Sequence, residues 1–159
     1  MKKISLTQGQ FAMVDDADFE WLNQWKWCAA WNFETKSFYV VREVKRKQVY
    51  MHRVILDAPK GMMVDHKNHD TLNNQRINIR LATYSQNAMN AKMLNSDNTS
   101  GYRGVSWRKR RKRFRVQIRK EGKDFYLGSF KNPKEGAKIY NEKAKELFGE
   151  FSFINKIET

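Results

Sequence analysis

The sequence predicts an α+β chain: a β-rich N-terminal lobe packed with a hairpin-and-helix module, then a three-stranded antiparallel sheet packed on one helix. Three observations predict it. Short runs of period-two alternation fill the first 50 residues. The same alternation returns late, with Phe114, Val116 and Ile118 on one face and Arg115, Gln117 and Arg119 on the other. Helical spacing then appears in Ala137, Tyr140, Ala144, Leu147 and Phe148.

In chain order, Ile4 and Leu6, then Phe11 and Met13, are the expected inward positions of two strands, with Thr7 to Gln10 as their turn. Asp15, Asp16 and Asp18 offer N-cap oxygens to a short helix through Leu22. Trp21, Trp25, Trp27 and Trp31 crowd one segment and are read as core filler. Strands follow from Trp27, over Phe38–Arg42 and over Lys47–Met51, and residues 1–50 form the first lobe. Residues 51–94 make the second module: a short helix holding His52, a strand over Met62–Asp65, a loop from Lys67 to Asn74 and a strand over Ile77–Leu81. A helix capped by Thr83 or Ser85 runs on through Lys92. Residues 95–100 are a polar linker. In the last part, 101–159, strands are expected over Gly101–Trp107, Phe114–Arg119 and Phe125–Phe130. Asn132-Pro133-Lys134-Glu135 opens the helix and Gly149 ends it.

The net charge of the 159-residue chain is +14, with 31 basic against 17 acidic residues, so a polyanion is the expected partner. The charge is placed unevenly: residues 101–159 hold 17 basic and 7 acidic side chains, a net of +10. No apolar run approaches the roughly 18 residues of a membrane-spanning helix. Met1-Lys2-Lys3 is followed by polar residues rather than an apolar signal core. The single cysteine, Cys28, excludes an internal disulfide and a cysteine-rich zinc site, and it is read as buried filler. A cytoplasmic chain, encoded by a phage or bacterium and acting without a membrane, is expected.

The chemistry concentrates in Met63-Val64-Asp65-His66, with Asn78 and Asn87 downstream. A hard divalent cation takes oxygen ligands, which Asp65 and Asn87 offer. A water attacking a phosphodiester needs a base near neutral pKa, which His66 offers. Ordinary turn chemistry is the competing explanation for so many Asn and Asp residues. The arrangement from Tyr50 to Ala91, with Val64-Asp65-His66, Asn73-Asn74, Ile77-Asn78-Ile79-Arg80 and Gln86-Asn87, resembles the HNH (ββα-metal) nucleases of phage and intron homing type. The resemblance implies that Asp65 and Asn87 are metal ligands and His66 is the general base. It implies that Asn78 holds the hairpin in shape and helps to orient His66. Arg53, in a His-Arg pair that recurs in that family, is a candidate phosphate contact. Mg²⁺ is the implied ion, with Mn²⁺ as a substitute. One departure is His69, which stands where a turn glycine is usual and where φ > 0 is expected.

Between residues 101 and 123 there are 11 basic residues and one acid, six of the basic ones in succession over Arg108–Arg113. Basic side chains in register on a ribbon fit a DNA major groove. Tyr102-Arg103-Gly104-Val105, Tyr126-Leu127-Gly128-Ser129-Phe130 and the Ala137, Tyr140, Ala144 helix face resemble the DNA-binding domain of APETALA and ethylene-response factors. That resemblance puts Arg103, Trp107, Arg108, Arg110, Arg113, Phe114, Arg115, Gln117 and Arg119 on or beside the contact strands. Phe114 replaces a usual tryptophan and Gln117 a usual acid, so base preference does not transfer. The sequence reading is a metal-dependent homing-type endonuclease that nicks one strand of double-stranded DNA, as a monomer or weak dimer. The alternative is a DNA-binding regulator with an inactive nuclease fold.

Overall fold

The computed structural model describes residues 1–91, 94 and 98–157. It divides into two compact units, Met1–Ala88 and Met89–Thr159. The expected linker lies partly outside the described residues, at 95–97, and so does the expected helix end at Lys92.

The first unit is mixed α and β. β1 (Lys2–Ser5) and β2 (Phe11–Val14) pair antiparallel, followed by α1 (Asp16–Asn23). β3 (Cys28–Asn32), β4 (Ser37–Val44) and β5 (Lys47–Tyr50) form an antiparallel sheet in that order. α2 (Met51–Ile55) leads to the hairpin of β6 (Met63–His66) and β7 (Ile79–Ala82), and α3 (Tyr84–Asn90) follows. Ile4, Ala12, Val14, Leu22, Trp27, Val40, Met51, Ile55 and Ile79 make one shared core, with Trp21 and Trp25 packed against it. Residues before and after position 50 are therefore one structural body. Backbone bonds bind them further: Met13 N donates to Leu72 O at 2.9 Å, and Asn74 N donates to Met13 O at 2.8 Å.

Several expectations are corrected. In β2 the inward residues are Ala12 and Val14, while Phe11 is 50 % exposed. The register explains this, because Ile4 pairs with Ala12 and so shares its face. Asp15 precedes α1 but makes no side-chain cap; its carboxylate accepts from Gln75 Nε2 at 3.1 Å and Arg76 N at 2.8 Å. β7 starts at Ile79, not Ile77, because Asn78 and its neighbours are held in the preceding loop. Cys28 is only half-buried. α3 begins with a reciprocal cap: Gln86 N donates to Thr83 Oγ1 at 3.2 Å and Thr83 N to Gln86 Oε1 at 2.8 Å.

In the second unit, β8 (Val105–Arg108), β9 (Arg113–Lys120) and β10 (Lys123–Phe130) form an antiparallel sheet with β9 central. α4 (Pro133–Phe148) is capped by Asn132, whose Oδ1 accepts from Lys134 N at 2.9 Å. Val105, Val116, Ile118, Ala137, Tyr140 and Ala144 form the core between sheet and helix. The first strand starts later than expected, at Val105, because residues 101–104 form a turn. Gly104 has φ +77, and its carbonyl accepts from Gln117 N at 2.9 Å. A Cβ at position 104 would lie 2.1 Å from the Tyr140 ring and 2.8 Å from the Gln117 carbonyl. Gly104→Ala is therefore expected to destabilise this unit by roughly 1–3 kcal/mol or more, since crowding adds to an unfavourable φ. A chemical-denaturation curve followed by circular dichroism checks this.

Candidate functional site

The β6–β7 hairpin sets Asp65 and His66 side by side, 5 % exposed each. Asp65 pairs across the ribbon with Arg80, whose Nε and Nη2 donate to Asp65 Oδ2 at 2.8 and 2.6 Å. Both side chains are nearly sealed, at 10 % and 6 % exposure for Arg80 and Asp65. A charge buried without its counter-ion is costly, and Arg80 supplies that counter-ion at hydrogen-bond distance. Arg80 was not singled out in the sequence. Its proximity to Asp65 depends on strand register, which no local pattern discloses.

His66 Nε2 lies 3.4 Å from Asn74 Oδ1. Asn74 is fully buried, and its Nδ2 donates to Leu72 O at 3.2 Å, so its carboxamide oxygen faces the imidazole. An oxygen there accepts only, which places the proton on Nε2 and the lone pair on Nδ1. Burial pushes the His66 pKa below the ordinary histidine value, partly offset by the Asn74 bond and by the charges of Asp65 and Asp70. The ring is thus a neutral base at pH 7.

Asn78 is buried and ties the loop together. Its Oδ1 accepts from Asn68 N at 3.1 Å, and its Nδ2 donates to Asn73 O at 2.7 Å and Asp70 O at 3.5 Å. His69 in the same loop has φ 65, in the left-handed region expected there. Asn87 sits in the first turns of α3, half-buried, with its N–H on Thr83 O at 3.0 Å. Arg53 is placed differently from its expected phosphate role. Three of its N–H groups go to the carbonyls of Met62 (2.7 Å), Ala58 (3.0 Å) and Pro59 (3.0 Å), so it clamps the loop before β6.

His52 on α2 is 6 % exposed, and its ring meets that of His66 edge to face, with centroids 5.1 Å apart. Tyr39 lies 5.9 Å from His52 and 6.4 Å from His66, and Tyr50 lies 5.4 Å from His52. The N-terminal lobe therefore packs two rings, Tyr39 and Tyr50, against these imidazoles.

Asp65 and Asn87 each carry an oxygen donor of the kind that Mg²⁺ or Mn²⁺ takes. Among the described residues no group of three or more His, Cys, Asp or Glu side chains is gathered to hold an ion. A cation at Asp65 would share its carboxylate with Arg80.

On the second unit, β9 presents Arg113, Arg115, Gln117 and Arg119 away from α4. Arg119 Nε lies 3.4 Å from Asp124 Oδ1, and the Arg115 guanidinium lies 5.7 Å from the Tyr126 ring centre. Tyr126 pairs with Gln117, is 57 % exposed and so stands on this arginine face. The sequence signal for it was available, because Phe125 and Leu127 flank it in alternation. Arg108 and Arg110 are exposed. Two of the expected contact residues also have partners within the unit. Phe114 is half-buried on the helix side, opposite Trp107, with ring centres 4.8 Å apart and planes tilted by 57°. Trp107 remains 40 % exposed at that edge. Arg103 Nη1 donates to the carbonyls of Met89 (2.9 Å) and Ala91 (2.7 Å), and its backbone N to Asn155 Oδ1 at 2.7 Å, so it braces the unit.

A profile of the HNH endonuclease family matches residues 49–89. An uncharacterized HNH endonuclease, L560, of Acanthamoeba polyphaga mimivirus is 31 % identical over 156 residues, covering 95 % of this chain and 78 % of that protein. Protein 3.8 of Escherichia phage T7 is 38 % identical over 94 residues, covering 59 % of this chain and 76 % of that protein. No solved structure matches the chain. No helix among the described residues is long and apolar enough to cross a membrane.

Arg80→Met is expected to cost roughly 3–5 kcal/mol by leaving Asp65 buried and unpaired; urea denaturation reads it. Acid should also destabilise the fold through His52. Burial, with the charges of His66 and Arg53, lowers its pKa from 6.5 to about 3. Between those values the unfolded chain binds a proton that the native chain refuses, so stability falls as pH drops from about 6.5 toward 3. Melting temperatures over that range should decline less steeply in His52→Phe.

Proposed function

The chain belongs to the HNH endonuclease family, and from that premise we propose that it is a metal-dependent, homing-type nuclease that nicks duplex DNA. The observation that supports this most directly is the buried Asp65-His66 pair, with His66 oriented by Asn74 through Nε2 so that Nδ1 is the basic nitrogen. HNH endonucleases typically use a divalent metal. Here Asp65 and Asn87 would hold it, with Mg²⁺ the best match to two oxygen side chains and Mn²⁺ a substitute. When bound, such an ion supplies positive charge to the phosphate oxygens and to the leaving 3′ oxygen.

The chain's own groups do the rest. His66 Nδ1 accepts a proton from water as that water attacks phosphorus. Asn74 holds the ring through Nε2–H and stabilises the imidazolium that forms. Asn78 keeps the loop in the shape that aims both residues. Arg80 fixes the Asp65 carboxylate through two hydrogen bonds to Oδ2. One such centre cuts one strand, so a monomer nicks, and a weak dimer would be needed for a double-strand break. In the second unit, an APETALA-like sheet supplies duplex binding through Arg113, Arg115, Gln117 and Arg119, with Tyr126 beside them and Arg108 and Arg110 on phosphates. The protein then acts on DNA inside the cell that makes it.

Supercoiled plasmid incubated with Mg²⁺ should become open-circular, and EDTA should stop the conversion. His66→Ala should lose at least about 10²-fold in rate while duplex affinity in a gel-shift assay stays unchanged. Nicking by His66→Ala at the wild-type rate would remove the assigned base. Duplex binding without any divalent-dependent nicking in the wild-type chain would favour the regulator reading.

A further inference from the structure

Two neighbours on α2 have opposite fates. Arg53 directs its guanidinium to three backbone carbonyls. The imidazole of His52 makes no hydrogen bond among the described residues, and its Nδ1 is buried without a partner. A buried polar atom left unpaired costs roughly 1–3 kcal/mol, so the fold carries an imidazole here at a loss that packing alone does not call for. A Phe or Leu would fill the nest of Tyr39, Tyr50 and His66 without that cost.

The tautomer follows from the burial. An enclosed N–H without an acceptor is rarer than an enclosed lone pair, so Nδ1 carries the lone pair and Nε2 the proton. With Nδ1 sealed, Nε2–H is the atom through which the ring can meet a ligand. It is a donor, held by ring packing next to the nitrogen base of the site: the centroid of His66 is 5.1 Å away and the rings are perpendicular, at 89°. A phosphodiester presents non-bridging acceptor oxygens on the phosphorus that a water activated by His66 would attack, within reach of a neighbouring donor. The charge state also suits the task, because a neutral imidazole next to His66 does not repel the proton that His66 gathers.

We propose that His52 is a substrate-contacting catalytic residue, its Nε2–H donating to a non-bridging oxygen of the phosphodiester seated at His66. The inference deepens the nuclease reading and rests on it for the identity of the ligand. It moves the phosphate contact from Arg53 to the residue before it.

The test uses the full chain labelled with ¹⁵N-histidine. There are three histidines, His52, His66 and His69, so single variants assign the signals. Thymidylyl-thymidine, a minimal phosphodiester, is titrated without metal. A saturable shift of the His52 Nε2 resonance is expected, and a His52 signal that stays fixed while His66 shifts, or while neither moves, overturns the contact. Nicking gives the second readout. His52→Phe keeps the ring packing and removes the donor, so turnover should fall about 10²-fold, as for loss of one donor to a reacting oxygen, with KM and duplex affinity near wild type and a melting temperature at or above it. His52→Gln restores an N–H and should recover most of that loss. Wild-type turnover in His52→Phe would overturn the proposal. A His52 shift in a wild-type chain that never nicks would leave the contact standing and remove the hydrolytic reading instead.

Discussion

A carboxylate and a guanidinium face each other across a two-stranded ribbon, nearly out of reach of water, and the first unit is arranged around keeping them there. Asp65 and Arg80 are register partners, so their meeting requires β6 and β7 to pair without slippage. A one-residue slip would bury His66 opposite a different side chain and turn the charge of Asp65 away from its partner. The loop between the strands fixes the register, and Asn78 fixes the loop by closing Asn68, Asp70 and Asn73 onto one amide. β2 holds the same loop from outside, through Met13. The pair is thus maintained by bonds that begin in the first 15 residues of the chain.

The same packing that hides the ion pair also withholds water from the imidazoles. Tyr39 comes from β4 and Tyr50 from the end of β5, and together they wall in His52 and His66. Desolvation then disfavours the charged form of both rings, and Asp65 with Asp70 acts against that on His66 alone. Two chemically identical side chains consequently differ in basicity. The one with anionic neighbours is the better proton acceptor, and the other stays an uncharged donor.

Much of this fold was legible from the residues alone. Alternation located most strands, Asn132-Pro133 located the start of α4, and Thr83 was one of two caps read for α3. Asp65 and His66 were visible as an apolar run ending in two functional groups. Partnerships across the chain were not visible. Nothing in the local sequence distinguishes Asn74 from Asn73, yet one is buried against the base and the other caps Gln75. Arg80 reads as an ordinary strand residue until its opposite number is known. Arg53 was a candidate phosphate contact because a His-Arg pair carries no record of nearby carbonyls. The face of β2 was misjudged for a related reason: small Ala12 and Val14 match the space opposite Ile4 better than Phe11 and Met13 do, and size fit is a property of the assembled core.

The single-turn helix α2 joins two demands that are usually met by separate elements. One of its side chains grips the backbone that leads into β6, and the adjacent one leans on the imidazole at that strand's far end. Displacing these five residues as a body would shift entry path and ring orientation together. Alignment errors in this centre are therefore correlated rather than independent, so repairing one contact by substitution also retunes the other.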